Sequence, residues 1–161
     1  MRLLLILSCV ALWPVWGQAQ GAPPATTLTV ARDLAADARV MREKRIPMLV
    51  LFAQKDCPWC ERARREFLLP MQKDPATAAK VRMRQINIDS DAPLIDFSGH
   101  YTTDRAFAKA HQAGLTPTLM FFGPDGRQLA ETIVGFQTAD FYGATIDRGI
   151  DQSLARLRSH R

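Results

Sequence analysis

The chain has 161 residues, 47% of them hydrophobic and 23% charged. That is enough for one ordinary domain and too little for two, and the balance excludes wholesale disorder. Lysine and arginine exceed the acids by 21 to 16, a formal charge of +5 too small and too scattered to indicate a nucleic-acid partner, and three cysteines are too few for a disulfide-stapled scaffold.

Met1-Arg2 gives a short positive start, and residues 3–12 are almost unbroken apolar chain. Pro14 and Gly17 break the run, and Gly17-Gln18-Ala19 offers the small residues that a signal peptidase needs. Residues 1–19 therefore read as a Sec-type signal peptide cleaved after Ala19. A retained N-terminal anchor is the alternative, although the run is short for a bilayer and lacks a basic stop-transfer flank. Ile6-Leu7-Ser8-Cys9 vaguely matches a lipoprotein box, but cleavage there would leave almost no apolar core. Removal of residues 1–19 leaves a charge of +4 and takes away Cys9, so Cys57 and Cys60 are the remaining cysteines. Residues 20–26 read as a flexible leader and 27–158 as the folded domain.

Thr29 is placed to cap a helix over 30–44, with Val30, Leu34, Ala38 and Met41 on its inner face and Arg32, Asp37, Arg39, Arg42 and Glu43 outside. Pro47 opens a strand whose apolar run, Met48 to Ala53, suits burial on both faces. The chain then reaches Cys57-Pro58-Trp59-Cys60 and a helix that Pro70 should end. Asp74 caps a short helix over 74–80. Residues 81–88 form a second strand of imperfect periodicity, and the turn-rich stretch 89–101 has room for a small hairpin. Thr103 caps a helix over 104–112 with Phe107, Ala108 and His111 inward. A third apolar strand covers 116–122. Pro124-Asp125-Gly126-Arg127 is a turn, with proline at its second position and glycine free to take positive φ. Residues 129–134 return antiparallel. Thr138 caps a last helix to 158 with Phe141, Tyr142, Ile146, Ile150, Leu154 and Leu157 facing in. Parallel strands joined by helices, followed by a hairpin, imply an α/β domain: a mixed central sheet with helices on both faces.

Two cysteines three apart can close a disulfide where a strand turns into a helix. Cys57, at the helix mouth, meets unpaired amides and the positive end of the helix dipole, which favour the attacking thiolate. Cys60, one turn in, is shielded and placed to resolve a mixed disulfide. Pro58 fits the first turn, where a missing amide costs little. Three other readings stand beside this one: half of a zinc site, a copper(I)-handling pair and a plain structural bridge. Zinc needs two more ligands, and His100, His111 and His160 show no paired spacing. A bridge this short constrains little of the unfolded chain. Trp59 occupies an exposed position suited to partner contact. Arg62, Arg64 and Arg65 read either as a solvated face or as support for a thiolate or an acidic partner.

Phe52-Ala53 before this motif, Gly114-Leu115-Thr116-Pro117-Thr118-Leu119, Phe122-Gly123-Pro124-Asp125-Gly126-Arg127 and the later Gly135 together resemble the thioredoxin superfamily, over about residues 27–157. The likeness is greatest to exported thioredoxin-like proteins of the SoxW and thiol-disulfide interchange type. The resemblance implies a thioredoxin-like fold, a cis Pro117 beside the cysteines, and a Thr116 backbone that pairs with an extended stretch of substrate. It further implies a periplasmic thiol-disulfide oxidoreductase with no cofactor or metal, acting as a monomer on protein disulfides. Electrons would come from a membrane donor if it is a reductase, the direction favoured. The rival is a non-enzymatic copper(I)-handling or scaffold module on the same fold. Two departures matter. Asp56 stands where thioredoxins have tryptophan and should oppose a Cys57 thiolate. Leu51 replaces a buried acid, leaving water, Lys55 or Glu61 to move the proton of Cys60. The longer stretch over 92–102 is either a partner-shaping border of the site or a plain surface loop.

Overall fold

The computed structural model describes residues 27–159; the expected signal peptide and leader lie outside them. At the centre is β1, Met48–Ala53, six apolar residues all buried. Period-2 alternation divides them between two cores. Leu49, Leu51 and Ala53 point into one, with Leu68, Tyr142, Ile146 and Ile150. Met48, Val50 and Phe52 point into the other, with Leu34, Met41 and Phe107.

The sheet order is β2-β1-β5-β6, with β2 at Arg82–Asn87, β5 at Thr118–Phe122 and β6 at Ile133–Val134. β1 pairs parallel with β2 and antiparallel with β5, so Met48 faces Phe122 and Phe52 faces Thr118. The sheet is therefore mixed, as the strand and helix pattern implied. The answering strand is shorter than the sequence suggested: only Ile133 and Val134 pair with β5 as a strand, and Gln128 adds one isolated bridge to Phe122.

Helix α1 is Leu34–Lys44, so the expected start at residue 30 is four residues early. Asp33, not Thr29, is the cap: its carboxylate accepts the Ala36 amide at 2.7 Å. Residues 29–31 are extended instead and pair with the outer side of β2, Ala31 N–H donating to the Gln85 carbonyl at 2.8 Å and Gln85 N–H to Thr29 at 3.0 Å. The sheet edge offers Val30 a ladder that a free helix end could not match.

Asp37 also departs from expectation, since it is buried rather than on the outer face of α1. Its carboxylate accepts Arg82 Nε at 2.6 Å and Arg84 Nε and Nη2 at 2.7 Å. That explains the broken periodicity of β2. Arg82 and Arg84 face α1 opposite Met48 and Val50 in the register, and one carboxylate compensates both charges.

After the cysteines, α2 (Pro58–Ala63) continues through a π-helical turn (Arg64–Leu68) into α3 (Leu69–Lys73). Pro70 therefore does not end the helix. The Leu69 amide reaches five residues back to Arg64, and this widened turn just before the proline relieves the clash its ring makes in a regular helix. Asp74 caps α4, Pro75–Ala78, and accepts the Thr77 amide at 2.9 Å. The stretch before the next helix does hold a hairpin, β3 (Pro93–Ile95) with β4 (Tyr101–Thr103).

Thr103 caps α5, Asp104–Ala110, which covers the same face as α1. His111 follows it, half-buried, with its ring 4.4 Å from Phe107 and 4.9 Å from Phe122 between centroids. Burial holds its pKa below the ordinary 6.5. The folded state thus prefers the neutral ring: the stability is complete above about pH 6.5 and is lost as pH falls toward the lower folded pKa. Comparing melting temperatures at pH 7 and pH 5 should show a larger acid-side drop for the native chain than for His111→Leu.

Helix α6, Ala139–Ser159, closes the face opposite α1, with Tyr142, Ile146 and Ile150 inward. Phe141 is a correction: it is 68% exposed and outside the apolar face. Gly149 allows close approach, because a Cβ there would overlap the buried Phe121 ring of β5.

Candidate functional site

The site is built where β1 gives way to α2. Asp56 takes a left-handed backbone, φ 53°, which an aspartate tolerates better than most residues and which turns the chain from strand to helix. The Lys55 amide is held by Asp89 at 2.9 Å, tying this turn to the end of β2. Cys57 is the N-cap residue and Pro58 sits in the first turn. Cys57 Sγ accepts the Cys60 amide at 3.1 Å, and Glu61 N–H donates to the Cys57 carbonyl at 3.1 Å. Cys57 and Cys60 are joined in a disulfide, with their Cα atoms 5.3 Å apart.

The two sulfurs differ in access. Cys60 is fully buried, while Cys57 is half-buried. Thr116 Oγ1 donates to Cys57 Sγ at 3.6 Å, and the Thr116–Pro117 peptide is cis. Pro117 is buried, and its carbonyl accepts the Gly135 amide at 2.8 Å. Trp59 is 54% exposed. The residues singled out in the sequence, Cys57, Trp59, Cys60, Thr116 and Pro117, thus come together in one place, with Trp59 exposed, Cys57 and Thr116 half-buried and Cys60 and Pro117 buried, although 59 positions separate Cys57 from Thr116.

The sequence reading missed Phe136. Gly135, at φ 75°, and its bond to Pro117 swing Phe136 back so that its ring stacks on Trp59 at 5.6 Å, 23° between planes. Phe136 also meets Tyr142 at 4.7 Å and Phe67 at 5.9 Å, which anchors the stack in the core. Arg62 lies over Phe136 at 4.7 Å and pairs with Glu66 at 2.9 Å. Arg64 binds Glu61 and donates to Gln85 at 3.0 Å. These arginines are therefore committed to neighbours on their own helix, to β2 and to rings. The only available sequence signal was an aromatic directly after a glycine at the end of a hairpin.

Cys57 also borders an open cleft of about 840 Å³, lined further by Lys55, Asp56, Glu61, Arg64, Asn87 and Asp89. Leu51 is fully buried beneath, so no carboxyl stands at its position. Among the described residues, no group of three or more His, Cys, Asp or Glu side chains is arranged to hold a metal ion. Nor is any helix among them long and apolar enough to cross a membrane.

The sequence model of a thioredoxin-like domain matches residues 34–149. The chain belongs to the thioredoxin-like family. Among solved structures, Fasciola hepatica thioredoxin superposes with a TM-score of 0.52 at 15% identity, covering 78% of this chain and 99% of that one. The oxidised form of mitochondrial thioredoxin 3 from Saccharomyces cerevisiae gives 0.51 at 17% identity, covering 77% and 93%. Oxidised thioredoxin O2 from Arabidopsis thaliana gives 0.51 at 17%, covering 79% and 94%. Identities this low speak for the fold alone. Comparison with curated protein sequences finds no significant match. The thioredoxin-like fold read from the residues is thus correct, and the Cys57–Cys60 disulfide at its helix mouth supports thiol-disulfide oxidoreductase chemistry.

Proposed function

We propose that the chain is an exported, periplasmic reductase of protein disulfides, with Cys57 as the attacking thiolate and Cys60 as the resolving thiol. The observation that carries this reading is the asymmetry of the two sulfurs. Cys57 is the accessible one, at the helix mouth, with the Cys60 amide and the Thr116 hydroxyl directed at its sulfur. Donors in that position stabilise a thiolate more than a thiol.

In the reduced protein, Cys57 thiolate attacks one sulfur of a client disulfide. A mixed disulfide forms, the client S–S bond breaks, and one client thiolate leaves. Cys60 then loses its proton and attacks Cys57 Sγ, closing the Cys57–Cys60 bond and releasing the second client thiolate. The two electrons come from the dithiol, and its protons end on the client thiols. The buried Cys60 proton leaves by way of water, Lys55 or Glu61, because Leu51 provides no acid beneath it. The Thr116 backbone holds an extended client segment, and Trp59 contacts it. A dithiol donor at the membrane restores the reduced pair, and the protein works as a monomer.

Equilibration of the pair with glutathione tests the direction. A reduction potential near that of thioredoxin, about −270 mV, is expected; one near −120 mV would make the protein an oxidant. Export is tested separately: N-terminal sequencing of the protein from an exporting host should begin at Gln20, and an intact Met1 would contradict it.

A further inference from the structure

A second cavity lies at the other end of the sheet. β1 runs from Met48 toward the cysteines, and β5 runs back so that Phe122 faces Met48. The turn after β5 is therefore a strand length from the disulfide, about 17 Å at 3.3 Å per residue. There a cavity of about 330 Å³ opens between the end of α1, this turn and the end of α6. Buried Met41, half-buried Leu157 and Pro124 give it apolar surface. Four arginines line it, Arg42, Arg45, Arg127 and Arg156, against a single carboxylate, Asp125.

Basic residues at helix C-termini have an ordinary explanation, because they offset the negative end of the dipole. That accounts for Arg42, Arg45 and Arg156 one at a time. It does not account for Arg127, which belongs to the turn, or for the convergence of three separate segments on one concavity. The charges also exceed what the dipoles need. Two helix C-termini contribute roughly −0.5 each, which leaves the lining near +2 after Asp125 is counted. Arg42 donates to the Pro124 carbonyl at 3.0 Å, which fixes the wall, and Arg127 and Asp125 are a loose pair at 3.6 Å. Arg45 and Arg156 have no ion pair among the described residues. Guanidinium forks on a concave surface suit planar or tetrahedral oxyanions, and the volume is at the small end of ligand pockets.

We propose that this cavity binds a compact oxyanion of charge −2 or more, independently of the redox pair. Calorimetric titration of the full chain with inorganic pyrophosphate at fixed ionic strength tests it, with succinate as a second arm. Saturable one-site binding is expected, weakened at least tenfold in Arg127→Gln/Arg156→Gln. Unchanged disulfide reduction and circular dichroism in that variant would show that it is folded. Binding of pyrophosphate alone assigns the site to phosphoryl groups, and binding of both assigns it to dianions in general. Absence of saturable binding at millimolar pyrophosphate, or equal affinity in the double variant, overturns the proposal.

Discussion

Cys57→Ser should reduce turnover of insulin disulfides to background, whereas Cys60→Ser should attack once and accumulate as a mixed disulfide with its client. A serine hydroxyl at the helix mouth does not ionise near neutral pH and cannot displace a thiolate from a disulfide. Cys57 Sγ is also the atom that the Cys60 amide and Thr116 hydroxyl address, so that stabilisation has no sulfur to act on in the serine variant. In Cys60→Ser the nucleophile is intact and the second displacement is missing. Non-reducing gels with thiol trapping would read both outcomes. Trapping by Cys57→Ser and not by Cys60→Ser would exchange the two roles.

The largest effect on stability is expected at Asp37. Its side chain is 9% exposed and is the shared acceptor of Arg84, 14% exposed, and Arg82, 29% exposed. Asp37→Ala leaves two guanidinium groups facing α1 with no carboxylate. Breaking one side of a buried pair costs about 3–5 kcal/mol, and the partial exposure of Arg82 puts this case near ~3. Urea unfolding should show that loss, with a much smaller one in the triple variant Asp37→Leu/Arg82→Met/Arg84→Met, where no charge remains to desolvate. Equal losses in both would mean that packing volume, not charge, is what Asp37 supplies.

Much of this was legible in the residues, for identifiable reasons. The apolar run from Met48 to Ala53 suits a strand buried on both faces, and Pro58 fits the first turn of a helix, and both are found there. Local chemistry thus located the disulfide. What could not be read locally was whatever tertiary pairing decided. The extended form of residues 29–31 depends on the edge of β2, the burial of Asp37 on two arginines 45 and 47 positions away, and the continuation past Pro70 on a π turn. Phe136 escaped for the same reason: its stacking on Trp59 follows from a hydrogen bond between Gly135 and Pro117, two segments that the sequence does not connect.

The segment pairing with the outer side of β2 has a consequence for a protein that would handle partly unfolded clients. An open strand edge is a template on which foreign extended chains assemble. Here Thr29 and Ala31 occupy the ladder positions of Gln85, and the opposite border of the sheet is only the two-residue β6. Both margins are thus poor seeds for intermolecular sheet growth. On the function proposed above, extended client segments would be left with the Thr116 backbone beside the sulfurs, where engagement would end in disulfide exchange and not in a fibril.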